Sequence, residues 1–174
     1  MIKKNIKTKS KTVSKKKIKN KTKPKKKVVV MVSGGFDPIH IGHVRYMREA
    51  KKLGDKLIVV VNNDNWFKVK GKPVFMYDKE RKEVIEALEC VDEVIISGHK
   101  KGTKDISVCE EIKKIKPDIF ANGGDRKPNG DPVPEVHLCE KLGIKLVYNI
   151  GHGGKVRSSS IMLKDYAKHL KNKK

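Results

Sequence analysis

Cysteine is scarce in this 174-residue chain: Cys90, Cys109 and Cys139 are odd in number and far apart. They form no C-x-x-C pair, so their spacing offers neither a zinc cage nor a dithiol redox centre. Placed among apolar helical positions, they read as small core residues of a disulfide-free, cytoplasmic protein. Aromatic residues make up only 5% of the chain, which leaves no stacking platform of the kind that RNA-binding sheets expose. No apolar run approaches the length of a membrane span or of a signal-peptide core. The first 27 residues contain no acidic and no aromatic side chain.

What the chain has in excess is lysine. Basic residues number 42 against 20 acidic ones, a net charge of +22, and 14 of the lysines lie in the first 27 residues. The remainder, from Val28 to Lys174, holds 28 basic and 20 acidic residues, or +8. The sequence therefore divides into a cationic arm, 1–27, and a mildly basic globular body, 28–174, long enough for one domain with a proper core. The arm has too little apolar surface to offset the entropy of ordering it and reads as disordered. Nucleic acid, an anionic surface or nuclear import would suit such a block, and compositional drift in a lysine-rich chain is the plainer account.

Within the body, short β-rich runs alternate with helical patterns: VVVMV (28–32), KLIVVV (56–61), DEVII (92–96), DIFA (118–121) and KLVYN (145–149). Between the first two runs, Ile41, Val44, Met47, Ala50 and Leu53 share one helical face, with Gly54 at the expected C′ position. Asp78 is placed to cap a second helix carrying Val84, Ile85 and Leu88. Val108, Ile112 and Ile115 stripe a third, halted before Pro117. Pro134 to Gly143 suits a fourth, and the serines at 158–160 open a fifth. Nearly continuous apolar strands alternating with helices argue for an α/β fold, a parallel sheet covered on both faces.

In such folds ligands bind beyond the carboxyl ends of the strands. Three glycine-rich polar loops fall there: GGFDPIHIGH (34–43), ANGGDRKPNGDP (121–132) and GHGGKVRSSS (151–160). Glycines at 34 and 35 let backbone N–H groups approach a phosphate at a helix N-terminus. His40 and His43, three apart in the first helical turn, can face the same side.

The segment HIGH within GGFDPIHIGH resembles the signature of the cytidylyltransferase-like nucleotidyltransferases. That group includes cytidylyltransferases acting on glycerol 3-phosphate, phosphocholine and phosphoethanolamine, and the adenylyltransferase domain of ADP-heptose synthase. AKKLGDKLIVVVNND, KPVFMYDKERK, VDEV, KPDIFANGGD and KVRSSSIM extend the similarity from about Val28 to Leu163. The resemblance implies a Rossmann-like, doubly wound five-stranded parallel sheet of order 3-2-1-4-5, and a homodimer. It implies transfer of a nucleotidyl group from a nucleoside triphosphate, with Mg²⁺, to a phosphorylated small molecule. His40 and His43 would stabilise charge on the triphosphate, Gly35 and Phe36 would cradle phosphate, and Asp37 would lie near nucleotide and metal. Lys70 and Lys72 would hold the reacting phosphates, and Arg81 and Lys72 would bind the acceptor substrate. Gly124 and Asp125 would close on the nucleotide, while Ser158, Ser159 and Ser160 would grip its phosphates.

One departure concerns the last loop, where His152 stands at the position of a family arginine. Lys155 and Arg157 are the candidate replacements, Arg157 with the better fork for phosphate. The loop GGDRKPNGDPVPE resembles that of ADP-heptose synthase, so ATP stands beside the favoured CTP, with a sugar or polyol phosphate as acceptor. A non-catalytic nucleotide-binding regulator and a nucleic-acid binder acting through the arm are the competing readings. A dinucleotide-binding dehydrogenase is disfavoured because the first loop lacks G-x-G-x-x-G.

Overall fold

The computed structural model describes residues 26–123, 134–151 and 158–172. The expected arm, apart from Lys26 and Lys27, lies outside the described residues. So do Gly124, Asp125, His152, Lys155 and Arg157.

Five strands form one parallel sheet: β1 (Val29–Gly34), β2 (Lys56–Val61), β3 (Glu93–Ile96), β4 (Ile119–Gly123) and β5 (Lys145–Ile150), in the order β3-β2-β1-β4-β5. Six helices accompany them: α1 (Ile41–Lys51), α2 (Asp64–Val69), α3 (Asp78–Glu86), α4 (Cys109–Ile115), α5 (Pro134–Leu142) and α6 (Ser159–Lys171). The strand order reverses between β1 and β4, which places a ligand crevice beside the carboxyl end of β1.

Alternation along the strands feeds two apolar layers. Val30, Val32, Leu57, Val59 and Val61 pack with Met47 and Ala50 of α1 and Ile85 of α3. On the opposite face Met31, Val60 and Phe120 meet Ile112 of α4 and Cys139 of α5. Each such aliphatic side chain contributes about 1.5–3 kcal/mol when fully buried. Burial also raises the thiol pKa of Cys139 to about 11, and all three cysteines are unpaired. Among the described residues no helix is long and apolar enough to cross a membrane.

Several local expectations are corrected. Helix α1 ends at Lys51 with Lys52 as its C-cap, two residues short of the end of the apolar pattern, and Ile41 is half exposed rather than on the core face. Gly54 is therefore not a helix cap. A Cβ there would come within 2.7 Å of the Val28 carbonyl oxygen and a Val30 methyl, so glycine is needed where the turn presses on β1. Helix α2, six residues between β2 and Lys70, has no counterpart in the apolar spacing of the sequence. Asp78 is the first residue of α3, whose N-cap is Tyr77, and its carboxylate serves α2 instead, accepting from the Asp64 N–H at 3.3 Å. Only Ile85 of the stripe in α3 is fully buried, Val84 being 39% exposed. Helix α4 stops where Lys116 turns left-handed (φ 48°), one residue before Pro117.

Candidate active site

His40 is the N-cap of α1, and its ring nitrogen Nδ1 accepts from the Gly42 N–H at 3.1 Å. In return His43 Nδ1 accepts from the His40 backbone N–H at 3.3 Å. The two histidines thus build a reciprocal capping box, satisfying backbone donors that the helix start leaves unpaired. With both Nδ1 atoms accepting, each neutral ring carries its proton on Nε2, across the ring from the helix. The rings stack at 3.8 Å between centroids and 23° between planes, and Phe36 meets His43 edge-on at 5.1 Å. A Cβ on residue 42 would lie 2.8 Å from His40 Cε1, so Gly42 is what allows the His40 ring to cap the helix. Burial, and secondarily the His40 charge, lowers the His43 pKa from 6.5 to about 4. At neutral pH His43 is a neutral N–H donor and not a cation.

Asp37 lies in the wall of the cleft, where its carboxylate is engaged by backbone, and Arg81 departs from the role the resemblance implied. The buried Asp37 accepts from the Phe75 N–H at 2.8 Å through one oxygen and from the Met76 N–H at 2.7 Å through the other. It pins the loop before α3 to the β1 turn. Among the described residues no group of three or more His, Cys, Asp or Glu could hold a metal ion. A Mg²⁺ carried on nucleotide phosphates needs only one or two protein carboxylates, and Asp37 is the carboxylate the described residues place in the cleft wall. Arg81 is fully buried and so cannot touch an acceptor. Its Nε donates to Met76 O at 2.8 Å, and NH1 donates to Gly35 O at 2.7 Å and Asn62 O at 2.6 Å. NH2 pairs with Asp64 at 2.7 Å, and the guanidinium lies 4.9 Å from the centre of the Phe67 ring. One side chain therefore ties the backbone of the β1–α1 loop to β2, α2 and α3.

Above these elements opens a cleft of about 820 Å³. The structure brings Gly35, Phe36, Asp37, His40, His43, Lys72, Ser158, Ser159 and Ser160 to its walls. Lys70 is not among them; its ammonium lies 4.6 Å from the centre of the Trp66 ring. Ser158 caps α6, its Oγ accepting from the Ile161 N–H at 3.2 Å. Ser159 donates its hydroxyl proton to Pro38 O at 2.9 Å. The Ser159 hydroxyl thus joins α6 to the β1–α1 loop, and the N-terminus of α6 reaches the cleft, an end of a helix that favours negative charge. Arg45, Trp66, Phe67 and Lys164 also line the cleft and were not singled out from sequence. Arg45 and Lys164 each lie within a turn or two of a recognised motif. Trp66 carried a different signal, as the only tryptophan in the chain.

A parallel sheet reversing at β1, with a histidine-capped helix and a second helix N-terminus over the reversal point, defines a Rossmann-like nucleotide-binding protein. Residues 31–138 match the cytidylyltransferase-like family, and the chain belongs to that family of nucleotidyltransferases. A FAD synthase of Ferroglobus placidus is 46% identical over 101 residues, 58% of this chain and 60% of that protein. A FAD synthase of Thermoplasma volcanium is 36% identical over 137 residues, 78% of this chain and 91% of that protein. This chain thus spans under two thirds of the length of the Ferroglobus relative. A solved structure, described as the lipopolysaccharide core biosynthesis protein from Thermoplasma volcanium, superposes with a TM-score of 0.59. It is 32% identical, and the match covers 74% of this chain and 100% of that one.

Proposed function

We propose that the protein transfers the adenylyl group of ATP to FMN, giving FAD and pyrophosphate. The observation that carries this reading is the similarity to proteins named FAD synthase, at 36–46% identity in the two relatives above. It moves the expected nucleotide from CTP to ATP, and the expected acceptor from a sugar or polyol phosphate to a flavin phosphate. The reading in favour of a sugar phosphate draws on the name of the lipopolysaccharide core protein.

The chemistry asks little of a base. A phosphate monoester is largely dianionic at neutral pH, its second pKa being about 6. An FMN phosphate oxygen attacks the α-phosphorus of ATP in line. The new P–O bond forms as the bond from the α-phosphorus to the bridging oxygen breaks, and that oxygen leaves on pyrophosphate. Positioning and charge stabilisation then supply the catalysis. The Nε2–H groups of His40 and His43 donate to phosphate oxygens, the α6 N-terminus receives the leaving pyrophosphate, and Lys72 draws in the acceptor phosphate. Asp37 and Arg81 act as positioning residues. The assignments of Gly124, Asp125, Lys155 and Arg157 to the nucleotide, and the homodimer, stand as implied by the resemblance.

The test is pyrophosphate release from ATP, CTP, GTP and UTP, each against FMN, glycerol 3-phosphate, a sugar 1-phosphate and phosphocholine. The expected result is turnover with ATP and FMN well above every other pair. Preference for CTP, or for a sugar phosphate, would replace this reading with the alternative.

A further inference from the structure

We propose that the isoalloxazine ring of FMN stacks on the indole of Trp66; this rests on the FMN reading above. In a chain with so few aromatics, two adjacent ones, Trp66 and Phe67, lie in the cleft wall. Phe67 is buried and belongs to the core, whereas Trp66 is only half-buried. Its ring plane is fixed from three directions. Phe67 meets it edge-on at 5.1 Å and 78°. Its Nε1–H donates to Ile106 O at 2.9 Å. The Lys70 ammonium lies 4.6 Å from its centroid, and Lys70 does not line the cleft. An indole held this firmly beside an open cleft is a preorganised stacking surface. Its electron-rich face complements the electron-poor flavin, and flat ligands gain from such rings without directional hydrogen bonds.

Trp66 and Lys72 both line the cleft, and the Lys72 backbone N–H donates to Phe67 O at 2.9 Å, which anchors that lysine to α2. A flavin on Trp66 would thus carry its phosphate in the cleft that Lys72 also lines.

Because Trp66 is the only tryptophan, its emission reports on this position alone. Titrating the 174-residue protein with FMN should quench that emission saturably, with the midpoint found for FMN by equilibrium dialysis, and ATP alone should not reproduce it. Trp66→Ala should raise the KM for FMN about 10-fold or more and leave the KM for ATP unchanged. Trp66→Phe, which loses the bond to Ile106 but keeps a ring face, should remain close to wild type. Three outcomes overturn the stacking while sparing the FMN reading: FMN binds without quenching, Trp66→Ala keeps its KM for FMN, or the Phe and Ala variants lose affinity equally. Absence of both FMN binding and FMN turnover in the wild type removes the reading and the inference together.

Discussion

The β1–α1 junction and the α2–α3 segment face the same cleft, but one is built of donors and the other of restraints. At the junction, His40 and His43 cap a helix with one ring nitrogen each, and both rings line the cleft. In the α2–α3 segment, Arg81, Asp64 and Asp78 are turned toward backbone and toward each other. Asp64 accepts from the Asp78 N–H at 3.0 Å, while Asp78 accepts from the Asp64 N–H at 3.3 Å. The difference teaches that a charged residue in a family motif can be spent on backbone instead of on a ligand. Arg81 holds the Gly35 carbonyl in place at 2.7 Å.

The largest effect should come from breaking that restraint. Arg81→Ala leaves Asp64 and three carbonyl oxygens without their donor, and should lower stability by about 3–5 kcal/mol. Chemical denaturation would measure it. An Arg81→Ala protein of native stability with a raised KM for the acceptor would return Arg81 to the substrate. Next, His40→Ala should lower kcat about 10²–10³-fold if its Nε2–H stabilises transition-state charge. It should also cost about 1 kcal/mol of stability through the lost cap, visible as a small drop in Tm. A full loss of activity explained by unfolding alone would assign His40 to capping only.

The His43 imidazole adds a pH signature. Its pKa is about 4 in the fold and about 6.5 in the unfolded chain. Above pH 6.5 both states are neutral and the contribution is complete. As pH falls from 6.5 toward 4, the unfolded chain takes up a proton that the fold refuses. The His43 contribution to stability should therefore decline by roughly 3 kcal/mol across that window and level off below it. Denaturation at several pH values in wild type and His43→Asn would show the slope disappearing with the histidine. The smallest effect concerns the two loop lysines. Lys70→Ala should cost about 0.5–1 kcal/mol through the lost contact with Trp66 and leave kcat nearly native, whereas Lys72→Ala should impair turnover with the acceptor.

The contrast also explains what could be read from sequence. Strand runs and the H-x-G-H turn are local patterns, written in residue type and spacing, and the sheet order followed from the resemblance they carry. The jobs of Asp37 and Arg81 depend on which backbone atoms lie within 3 Å after folding, across separations of 38 and 46 residues. No local pattern encodes that distance. Helix α2 leaves no periodic signal in the sequence because only Phe67 of its six residues is buried, too short an apolar stripe to show. Gly54 looked like a cap because glycine after a helix is so often one, and only the approach of Val28 and Val30 reveals its purpose.

The reaction class itself is tested most directly by following label from ATP in the presence of FMN. With label at the α-phosphorus, the account predicts a labelled flavin dinucleotide; with label at the γ-phosphorus, it predicts labelled pyrophosphate and an unlabelled flavin product. His40→Ala should slow both alike. Transfer of the γ-label to the flavin, or its release as inorganic phosphate with no dinucleotide formed, would contradict attack at the α-phosphorus and with it the assignment of the cleft.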